Sequence, residues 1–294
     1  MSKKPDKLNK LGKIPIDLRA IKRALFEDAP SGDITTTATV PANAGCEARL
    51  VAKQDFTLAG IDLFKAVFLA KDSGVKVVKH FADGESVPKG AVIATISGKA
   101  RAILTAERVA LNYLQRLSAV ATLTCKFVKA VEGTRAVILD TRKTVPGYRD
   151  LDKYAVRCGG GQNHRHSLSD MALIKENHIA VAGGIKSAVN RVRKKVGSEA
   201  MIEVEAGSWT QIAQALEAGA GRIMLDNMKP AQVKKAVKLI EEGAQTESSG
   251  NISLKNVKAY AKTGVDYISV GALTHSPTAV DVSLLIDIRT EEVS

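Results

Sequence analysis

Three clusters of basic residues in the middle of the chain have the types and spacing needed to bind an anionic substrate. The clusters are Asp140-Thr-Arg-Lys143, Asn163-His-Arg165 and Lys175-Glu-Asn-His178, and each follows an apolar run or a triple glycine. Arginine and lysine bind phosphate and carboxylate oxygens through charge-assisted hydrogen bonds. Because ligands of α/β proteins bind beyond the carboxyl ends of strands, the pattern favours a site for a small polyanion over a solvated basic loop.

Carboxylates at the ends of two further apolar runs could add a metal ion to this site. In Ile202-Glu-Val-Glu205 the alternation of a strand places both glutamates on one face, and Asp226 ends the next run. Carboxylates on an inward face are costly unless they are paired, hydrated or bound to metal. They can hold Mg²⁺ together with substrate oxygens and water. We therefore expect a phosphorylated, metal-chelated substrate beside a second anion; a salt-bridge network at the rim is the structural alternative.

The second half of the chain predicts the parallel strands that would bring these residues together. Apolar segments alternate with helical patterns roughly every 20–30 residues, the size of a βα unit. Ser208, Pro230 and Ser253 are placed to begin three of the helices. Right-handed crossovers then give a parallel sheet, closed as a barrel or left open. The predicted strands are residues 136–140, 171–175, 201–206, 222–226, 244–248 and 265–270.

The first half of the chain predicts a smaller α+β domain. Apolar spacing indicates a helix at residues 16–29, and the threonines between 35 and 39 favour extended chain. Short strands follow from residue 46 to residue 96, interrupted by a helix at 60–69. Thr105 is expected to cap a long helix that continues to residue 131 and leads into the second domain.

The composition narrows the possible partners and compartments. A net charge of +12 over 294 residues is compatible with binding nucleic acid, an anionic membrane or small anions. Aromatic residues make up only 4%, which argues against stacking of single-stranded nucleic acid. Three scattered cysteines indicate a reducing compartment, and no apolar run reaches the length of a membrane span. We therefore expect a cytoplasmic protein.

Ten motifs, taken in sequence order, resemble those of the quinolinate phosphoribosyltransferase family (nicotinate-nucleotide pyrophosphorylase, carboxylating). Any single motif is weakly specific, but together they cover nearly the whole chain from about Ile16. The motifs are Ser31-Gly-Asp-Ile-Thr35, Thr105-Ala-Glu-Arg-Val-Ala-Leu-Asn112, Asp140-Thr-Arg-Lys-Thr-Val-Pro-Gly147, Arg157-Cys-Gly-Gly-Gly161, Asn163-His-Arg165, Leu173-Ile-Lys-Glu-Asn-His178, Glu203-Val-Glu205, Met224-Leu-Asp-Asn-Met228, Ser248-Ser-Gly-Asn251, and Ile268-Ser-Val-Gly271 followed by Leu273-Thr-His275.

The resemblance implies a fold, a reaction and an assembly. The implied fold is α/β and like that of type II phosphoribosyltransferases: an N-terminal α/β sandwich at 1–131, an incomplete seven-stranded α/β barrel at 132–280, and a segment at 281–294 that packs back on the first domain. The implied reaction moves a phosphoribosyl group from 5-phosphoribosyl-1-pyrophosphate to quinolinate, giving nicotinate mononucleotide, pyrophosphate and CO₂ in de novo NAD biosynthesis. The implied cofactor is Mg²⁺, and the implied unit is a homodimer in which Arg108 reaches into the partner's barrel.

The resemblance also implies roles for individual residues. The implied catalytic residues are Lys143, Lys175, Glu205 and Asp226, and the two carboxylates would also hold ribose hydroxyls and Mg²⁺, partly through substrate and water. The residues that would bind the quinolinate carboxylates and nearby phosphate are Arg142, Lys143, His164, Arg165 and Lys175. Those that would offer donors to the 5-phosphate are Ser249, Gly250, Asn251 and Gly271. The implied substrate-binding set is Arg108, Thr141, Arg142, Lys143, His164, Arg165, Lys175, Glu205, Asp226, Ser248, Ser249, Gly250, Asn251, Ser269, Val270, Gly271 and His275.

Four other functions agree less well with the sequence. A phosphoribosyltransferase for nicotinate would not need the cations that the second carboxylate of quinolinate explains. A Schiff-base aldolase that uses Lys175 would not explain the flanking carboxylates. A nucleic-acid-binding protein would gather its charge on one surface and bind with a steep dependence on salt. An inactive paralogue with a transport or regulatory role is hard to reconcile with intact acidic and basic strand ends.

Overall fold

The computed structural model describes residues 11–287, which form two compact units. Within the described residues, the first unit comprises residues 11–123, Asp150–Gly160 and residues 277–287, and the second comprises Thr124–Arg149 and Gly161–Ser276. The division at residues 123 and 124 falls inside a long helix, a little before the predicted domain boundary at 131. The segment Asp150–Gly160 belongs to the first unit, although its position in the chain is within the predicted barrel domain.

The first half of the chain supplies four helices and five strands. In chain order these elements are α1 (Leu18–Asp28), α2 (Ile34–Thr39), β1 (Gly45–Ala52), β2 (Phe56–Thr57), α3 (Ile61–Lys71), β3 (Lys76–Lys79), β4 (Ser86–Val87), β5 (Val92–Lys99) and α4 (Ala100–Ala130).

The second half supplies the βα units and a final strand. In chain order these are β6 (Val137–Leu139), α5 (Arg149–Cys158), β7 (Ala172–Ile174), α6 (Glu176–Ala182), α7 (Ile185–Val196), β8 (Ile202–Ala206), α8 (Trp209–Glu217), β9 (Arg222–Asp226), α9 (Pro230–Ile240), β10 (Gln245–Ser249), α10 (Val257–Ala261), β11 (Tyr267–Ser269), α11 (Ala272–His275) and β12 (Val282–Asp287).

An antiparallel sheet in the order β12-β1-β5-β3 forms the body of the first unit. Alternate residues of β1 are buried, as expected for a sheet with one face on a core. Helix α3 contributes Phe64 and Phe68, whose rings meet edge to face with centroids 5.0 Å apart. The C-terminal segment reaches this sheet because β12 pairs antiparallel with β1, with Leu284 opposite Leu50.

A parallel sheet in the order β6-β11-β10-β9-β8-β7 forms the second unit. All six predicted strands are present in this sheet, with small differences at their ends, and the α/β fold class is therefore confirmed. The implied seventh strand is reduced to a single parallel bridge between Leu139 and Gln162 within the residues that the structure describes. The carboxyl ends of the six strands meet at one edge, which brings their polar terminal residues together.

The helix caps were predicted correctly where the capping side chain acts within one turn. Ser208 accepts a hydrogen bond from Gln211 N–H at 3.3 Å and begins α8, and Pro230 occupies the first turn of α9. Both residues act through local geometry that the sequence specifies directly. The predicted helices at 16–29 and 60–69 correspond to α1 and α3.

Three local predictions were wrong. The threonines at 35–39 are helical because Asp33 caps α2, accepting from Thr36 N–H at 2.9 Å, which outweighs their preference for extended chain. Thr105 is not a cap: α4 begins at Ala100, and the Thr105 hydroxyl donates to the carbonyl of Arg101. Ser253 does not cap α10, because the residue that precedes the first turn of this helix is Asn256. Ser253 lies in a turn before the helix, where its N–H donates to the Asn256 side chain.

None of the helices in the described part of the chain is both long enough and apolar enough to cross a membrane.

Candidate active site

A cavity of about 730 Å³ opens at the carboxyl ends of the parallel strands, and every residue that lines it belongs to the second unit. The three basic clusters and both groups of carboxylates contribute to its wall, although they lie far apart in sequence. The cavity therefore joins the charged residues that the sequence singled out. The members of the predicted substrate-binding set that line the cavity are Thr141, Arg142, Lys143, His164, Arg165, Lys175, Glu205, Asp226, Ser249, Gly250, Asn251, Ser269, Gly271 and His275.

Three residues of the predicted set do not line this cavity. Ser248 and Val270 are buried within the sheet region. Arg108 is exposed on the part of α4 that belongs to the first unit.

Six residues that line the cavity were not predicted from the sequence. Asn227 directly follows the predicted Asp226, and Met224 and Glu247 face inward by strand alternation, whereas the apolar ones carry no chemical signal in the sequence. The unpredicted residues are Leu173, Met224, Asn227, Glu247, Ile252 and Ala272.

Lys175 and Glu205 form an ion pair at the rim of the cavity. Lys175 follows β7, Glu205 lies on β8, and Nζ of the lysine is 2.8 Å from Oε2 of the glutamate. The Lys175 side chain is about half exposed, so that a substrate anion can reach its remaining hydrogens. The pair is weak in the solvated state but becomes stronger when a ligand excludes water.

Asp226 lies beside Glu205 at the end of β9. Burial raises the pKa of Asp226 and the charge of Glu205 raises it further, against the opposing effects of Asn227, Lys175 and Lys143. Asn227 donates to Oδ2 of Asp226 at 2.7 Å. Two neighbouring carboxylates whose charges repel each other provide the hard oxygen ligands that suit Mg²⁺, so these residues fit such an ion.

The opposite side of the cavity is cationic. Burial lowers the pKa of Arg165, and the adjacent charge of Arg142 lowers it further. Nε of Arg142 is buried and has no hydrogen-bond partner among residues 11–287. An unpaired buried donor beside a second guanidinium is unfavourable, and two adjacent guanidinium groups suit carboxylate or phosphate oxygens.

The loop that carries Arg142 and Lys143 is fixed by hydroxyl groups. Thr141 Oγ1 accepts from the backbone N–H of Lys143 at 3.1 Å, and Thr274 Oγ1 donates to the carbonyl of Lys143 at 2.8 Å. The backbone on both sides of the Lys143 side chain is therefore held in place. A lysine on a fixed backbone can present its charge to substrate with less loss of conformational freedom.

The segment Ser249-Gly250-Asn251 approaches the end of β9 very closely. A Cβ atom at Gly250 would lie 2.2 Å from Oδ1 of Asn227 and 3.0 Å from its backbone nitrogen, and Gly250 has a φ of 99°. Asn251 Nδ2 donates to the same Asn227 oxygen at 3.2 Å. All three residues of the segment line the cavity, and a glycine-containing turn of this kind suits a phosphate group.

A buried polar cluster lies one level deeper than the rim carboxylates. Nε2 of His164 is 3.1 Å from Oε2 of Glu203 and 3.4 Å from Oε2 of Glu247, and Nη1 of Arg222 is 3.2 Å from the same Glu247 oxygen. Burial lowers the pKa of His164, but the two glutamates outweigh burial and raise it to about 9. Among the described residues, His164, Glu203 and Glu247 are also the set with the spacing of a metal site, which Glu205 and Asp226 do not join.

Two family models together match nearly the whole described chain. Residues 33–118 match "Quinolinate phosphoribosyl transferase, N-terminal domain", and residues 120–285 match "Quinolinate phosphoribosyl transferase, C-terminal domain". The division between the matches falls within α4, close to the boundary between the two compact units.

Individual relatives are similar over almost their full length. The chain is 42% identical over 275 residues to the probable nicotinate-nucleotide pyrophosphorylase [carboxylating] of Bacillus subtilis, covering 94% of this chain and 95% of that protein. It is 44% identical over 291 residues to the chloroplastic enzyme of that name from Arabidopsis thaliana, covering 92% and 83%. The solved nicotinate-nucleotide pyrophosphorylase of Francisella tularensis superposes with a TM-score of 0.90 at 41% identity, covering 94% and 99%. The chain therefore belongs to the quinolinate phosphoribosyltransferase family.

Proposed function

We propose that the protein transfers the phosphoribosyl group of 5-phosphoribosyl-1-pyrophosphate to quinolinate, releasing pyrophosphate and CO₂ and forming nicotinate mononucleotide in de novo NAD biosynthesis. The observation that supports this best is the division of one cavity into a cationic wall and a pair of rim carboxylates. A dianionic base and a sugar that develops positive charge need these two environments side by side. Names of relatives at 42–44% identity agree with this reaction.

The cationic wall binds the quinolinate carboxylates. Arg142, Arg165 and Lys175 line this part of the cavity with their charges, beside His164. Two carboxylates distinguish quinolinate from nicotinate, and they account for more cations than a single carboxylate requires. When one carboxylate leaves as CO₂, negative charge develops on the ring carbon, and Lys143 or Lys175 balances it.

The carboxylates act on the sugar. Departure of pyrophosphate leaves positive charge on the ribosyl group, which Glu205 and Asp226 stabilise from its flank while they accept hydrogen bonds from the ribose hydroxyls. The same two residues would hold Mg²⁺, partly through substrate oxygens and water, and the bound ion would supply positive charge to balance that of the pyrophosphate. The 5-phosphate is bound through hydroxyl and backbone N–H donors at the glycine-bounded strand ends. These donors belong to Ser249, Gly250, Asn251 and Gly271, which line the cavity.

A single assay decides between quinolinate and nicotinate. Purified protein is incubated with 5-phosphoribosyl-1-pyrophosphate, Mg²⁺ and either base, and both mononucleotide and CO₂ are measured. We expect equal amounts of mononucleotide and CO₂ with quinolinate, little product with nicotinate, and loss of turnover when a chelator removes Mg²⁺. Mononucleotide formed from nicotinate at a comparable rate, or formed from quinolinate without CO₂, would contradict the proposal.

A homodimer completes each active site with Arg108 of the neighbouring copy. In support, Arg108 is exposed on α4, and the first unit also exposes large apolar side chains at Leu18, Phe26 and Ile34. Such side chains are commonly covered by a partner surface. The exposed guanidinium provides the additional cation that a substrate with several anionic groups requires.

Mixing two inactive variants tests this arrangement. Arg108→Ala and Lys175→Ala should each be nearly inactive, because each removes a cation from every site. After exchange of subunits, the mixture should recover roughly a quarter of the wild-type activity, since half of the dimers are mixed and each of these has one intact site. The double variant, which carries both changes in one chain and is mixed with wild type, is the control. A mixture that stays inactive after proven exchange would mean that Arg108 acts within its own subunit.

We also place the protein in the cytoplasm. The three cysteines, Cys46, Cys125 and Cys158, are free, which agrees with a reducing compartment. Microscopy of a fluorescent fusion in the native cell tests this placement; concentration of the signal in an organelle or at the envelope would contradict it.

A further inference from the structure

Beneath the cavity lie buried charged residues that have no role in the reaction proposed above. Glu203 on β8 and Glu247 on β10 are fully buried, with β9 between their strands. Arg222 on β9 contacts Glu247 and stacks on the Tyr267 ring at 4.1 Å. Both oxygens of Glu203 and Oε1 of Glu247 lack a hydrogen bond of regular geometry among the described residues. Buried charge of this kind is costly and is retained where it determines the position of another group.

The group that contacts both carboxylates is His164, and its other ring nitrogen is also occupied. Nδ1 of His164 accepts the backbone N–H of Arg165 at 2.7 Å. A nitrogen that accepts a hydrogen bond carries no hydrogen itself, so the ring hydrogen lies on Nε2, facing the two glutamates. The raised pKa of His164 alone would favour a second hydrogen on the ring, but that hydrogen would break the contact with Arg165. The geometry therefore assigns the neutral ring.

The backbone of the same segment is held from the other side by Asp140. One oxygen of Asp140 accepts from the N–H of His164 at 2.8 Å, and the other accepts from the side chain of Asn163 at 2.7 Å. Arg165, the next residue, donates from Nη1 to the carbonyl of Met171 at 3.0 Å and lines the cavity. The position of the Arg165 guanidinium is thus determined by buried groups on several strands.

His164, Glu203 and Glu247 have the spacing of a metal site. The positive charge of a metal ion nevertheless makes metal binding a less suitable role for them than positioning Arg165. With a neutral His164 ring, the two carboxylates and Arg222 carry one net negative charge, which attracts the neighbouring guanidinium of Arg165. A divalent ion would turn this into one net positive charge, buried next to Arg165 and Arg142. The cluster therefore suits the neighbouring cations better without an ion.

We propose that Glu203 and Glu247, with Arg222 bound to Glu247, are positioning residues that fix the His164 ring and thereby the backbone of Arg165 at the substrate-binding wall. This inference rests on the proposed function, in which Arg165 binds a carboxylate of quinolinate. The cluster then determines affinity for the dianionic base while having little direct effect on the phosphoribosyl donor, which binds at the rim and the glycine loop.

Two variants at one position test the proposal. Glu203→Leu removes the oxygens that face Nε2, and the KM for quinolinate should rise about tenfold or more, since a buried donor is left unpaired. Its kcat and its KM for 5-phosphoribosyl-1-pyrophosphate should stay within about threefold of wild type. Glu203→Gln keeps an acceptor oxygen and the side-chain volume, and it should restore the KM for quinolinate to near its original value. Ile223→Val, a buried change on the neighbouring strand β9, is the control for a general loss of stability.

A spectroscopic measurement does not depend on how the variants fold. Nitrogen NMR of histidine-labelled wild-type protein, with His164 assigned by comparison with His164→Gln, should show hydrogen on Nε2 and none on Nδ1. Hydrogen on Nδ1 would overturn the proposal. So would an unchanged KM for quinolinate in folded Glu203→Leu, a similar rise in that KM in Ile223→Val, or one equivalent of bound metal that is lost in Glu203→Leu.

Arg165→Gln separates failure of the inference from failure of the proposed function. If Arg165→Gln raises the KM for quinolinate and Glu203→Leu does not, only the positioning role is wrong. If Arg165→Gln leaves that KM unchanged, the cationic wall does not bind quinolinate, and the proposed function of this wall fails together with the inference.

Discussion

Replacing Lys175 with alanine is expected to lower kcat/KM by roughly a hundredfold or more, equivalent to about 3 kcal/mol of lost transition-state stabilisation. Lys175 is paired with Glu205 at 2.8 Å and faces the cavity at its rim. It therefore lies between the carboxylates for which we propose a role in stabilising the sugar and the wall that we propose binds the base. Loss of its charge weakens the balance of the developing carbanion and leaves Glu205 without its partner.

Lys143→Ala is expected to cause a loss of similar size for a related reason. Its backbone is held by Thr141 and Thr274, so the ammonium group is presented from a fixed loop. The structure gives Lys143 no ion pair among the described residues, and the whole of its charge is available to substrate. The main loss should therefore appear in kcat with saturating substrates, whereas Lys175→Ala should also raise KM.

A lysine–glutamate pair elsewhere in the same unit provides the matched control. Lys186 and Glu217 lie 3.0 Å apart and are each 70% exposed, which makes them similar in chemistry but remote from the cavity lining. Lys186→Ala should change activity little, because exposed pairs contribute about 0–1 kcal/mol to stability. Near-normal turnover from both Lys143→Ala and Lys175→Ala, measured on folded protein, would remove these lysines from the mechanism.

The sequence predicted which face a residue occupies better than it predicted the depth at which that residue lies. Strand alternation correctly placed Glu203 and Glu205 on the same face of β8. In the structure Glu205 is at the rim with Lys175, whereas Glu203 is fully buried beside His164. The alternation of side chains along a strand shows which face a residue occupies, but not how far it lies from the open end of the barrel. The buried cluster around His164 was therefore not predicted.

Secondary structure predicted from local residue preferences was correct only where no other group competed for the same backbone hydrogen bonds. Ser208 and Pro230 begin helices as predicted, because each acts within a single turn. Thr36 and its neighbours were predicted as extended, yet they form a helix whose first turn is capped by Asp33, which accepts a hydrogen bond from Thr36 N–H. The meeting of the polar strand ends was predicted correctly. Polar residues that end buried parallel strands all lie at the shared carboxyl edge of the sheet.

Gly250→Ala is expected to reduce kcat/KM by roughly a hundredfold and to raise the KM for 5-phosphoribosyl-1-pyrophosphate most. At a φ of 99° a side chain costs about 1–2 kcal/mol in backbone strain alone. The new Cβ would also lie 2.2 Å from Oδ1 of Asn227, so either Asn227 or the loop must move. Movement of Asn227 removes its hydrogen bond to Asp226, and movement of the loop removes the donors for the 5-phosphate.

Gly264→Ala separates the effect of this collision from the effect of backbone strain. Gly264 has a φ of 87°, close to that of Gly250, but a Cβ there meets only Val237 at an ordinary contact distance of 3.6 Å. Both variants should lose stability in a denaturant titration, whereas only Gly250→Ala should lose affinity for the phosphoribosyl donor. If both variants keep the KM for that donor, the approach of Gly250 to Asn227 serves folding alone, and the 5-phosphate must bind elsewhere in the cavity.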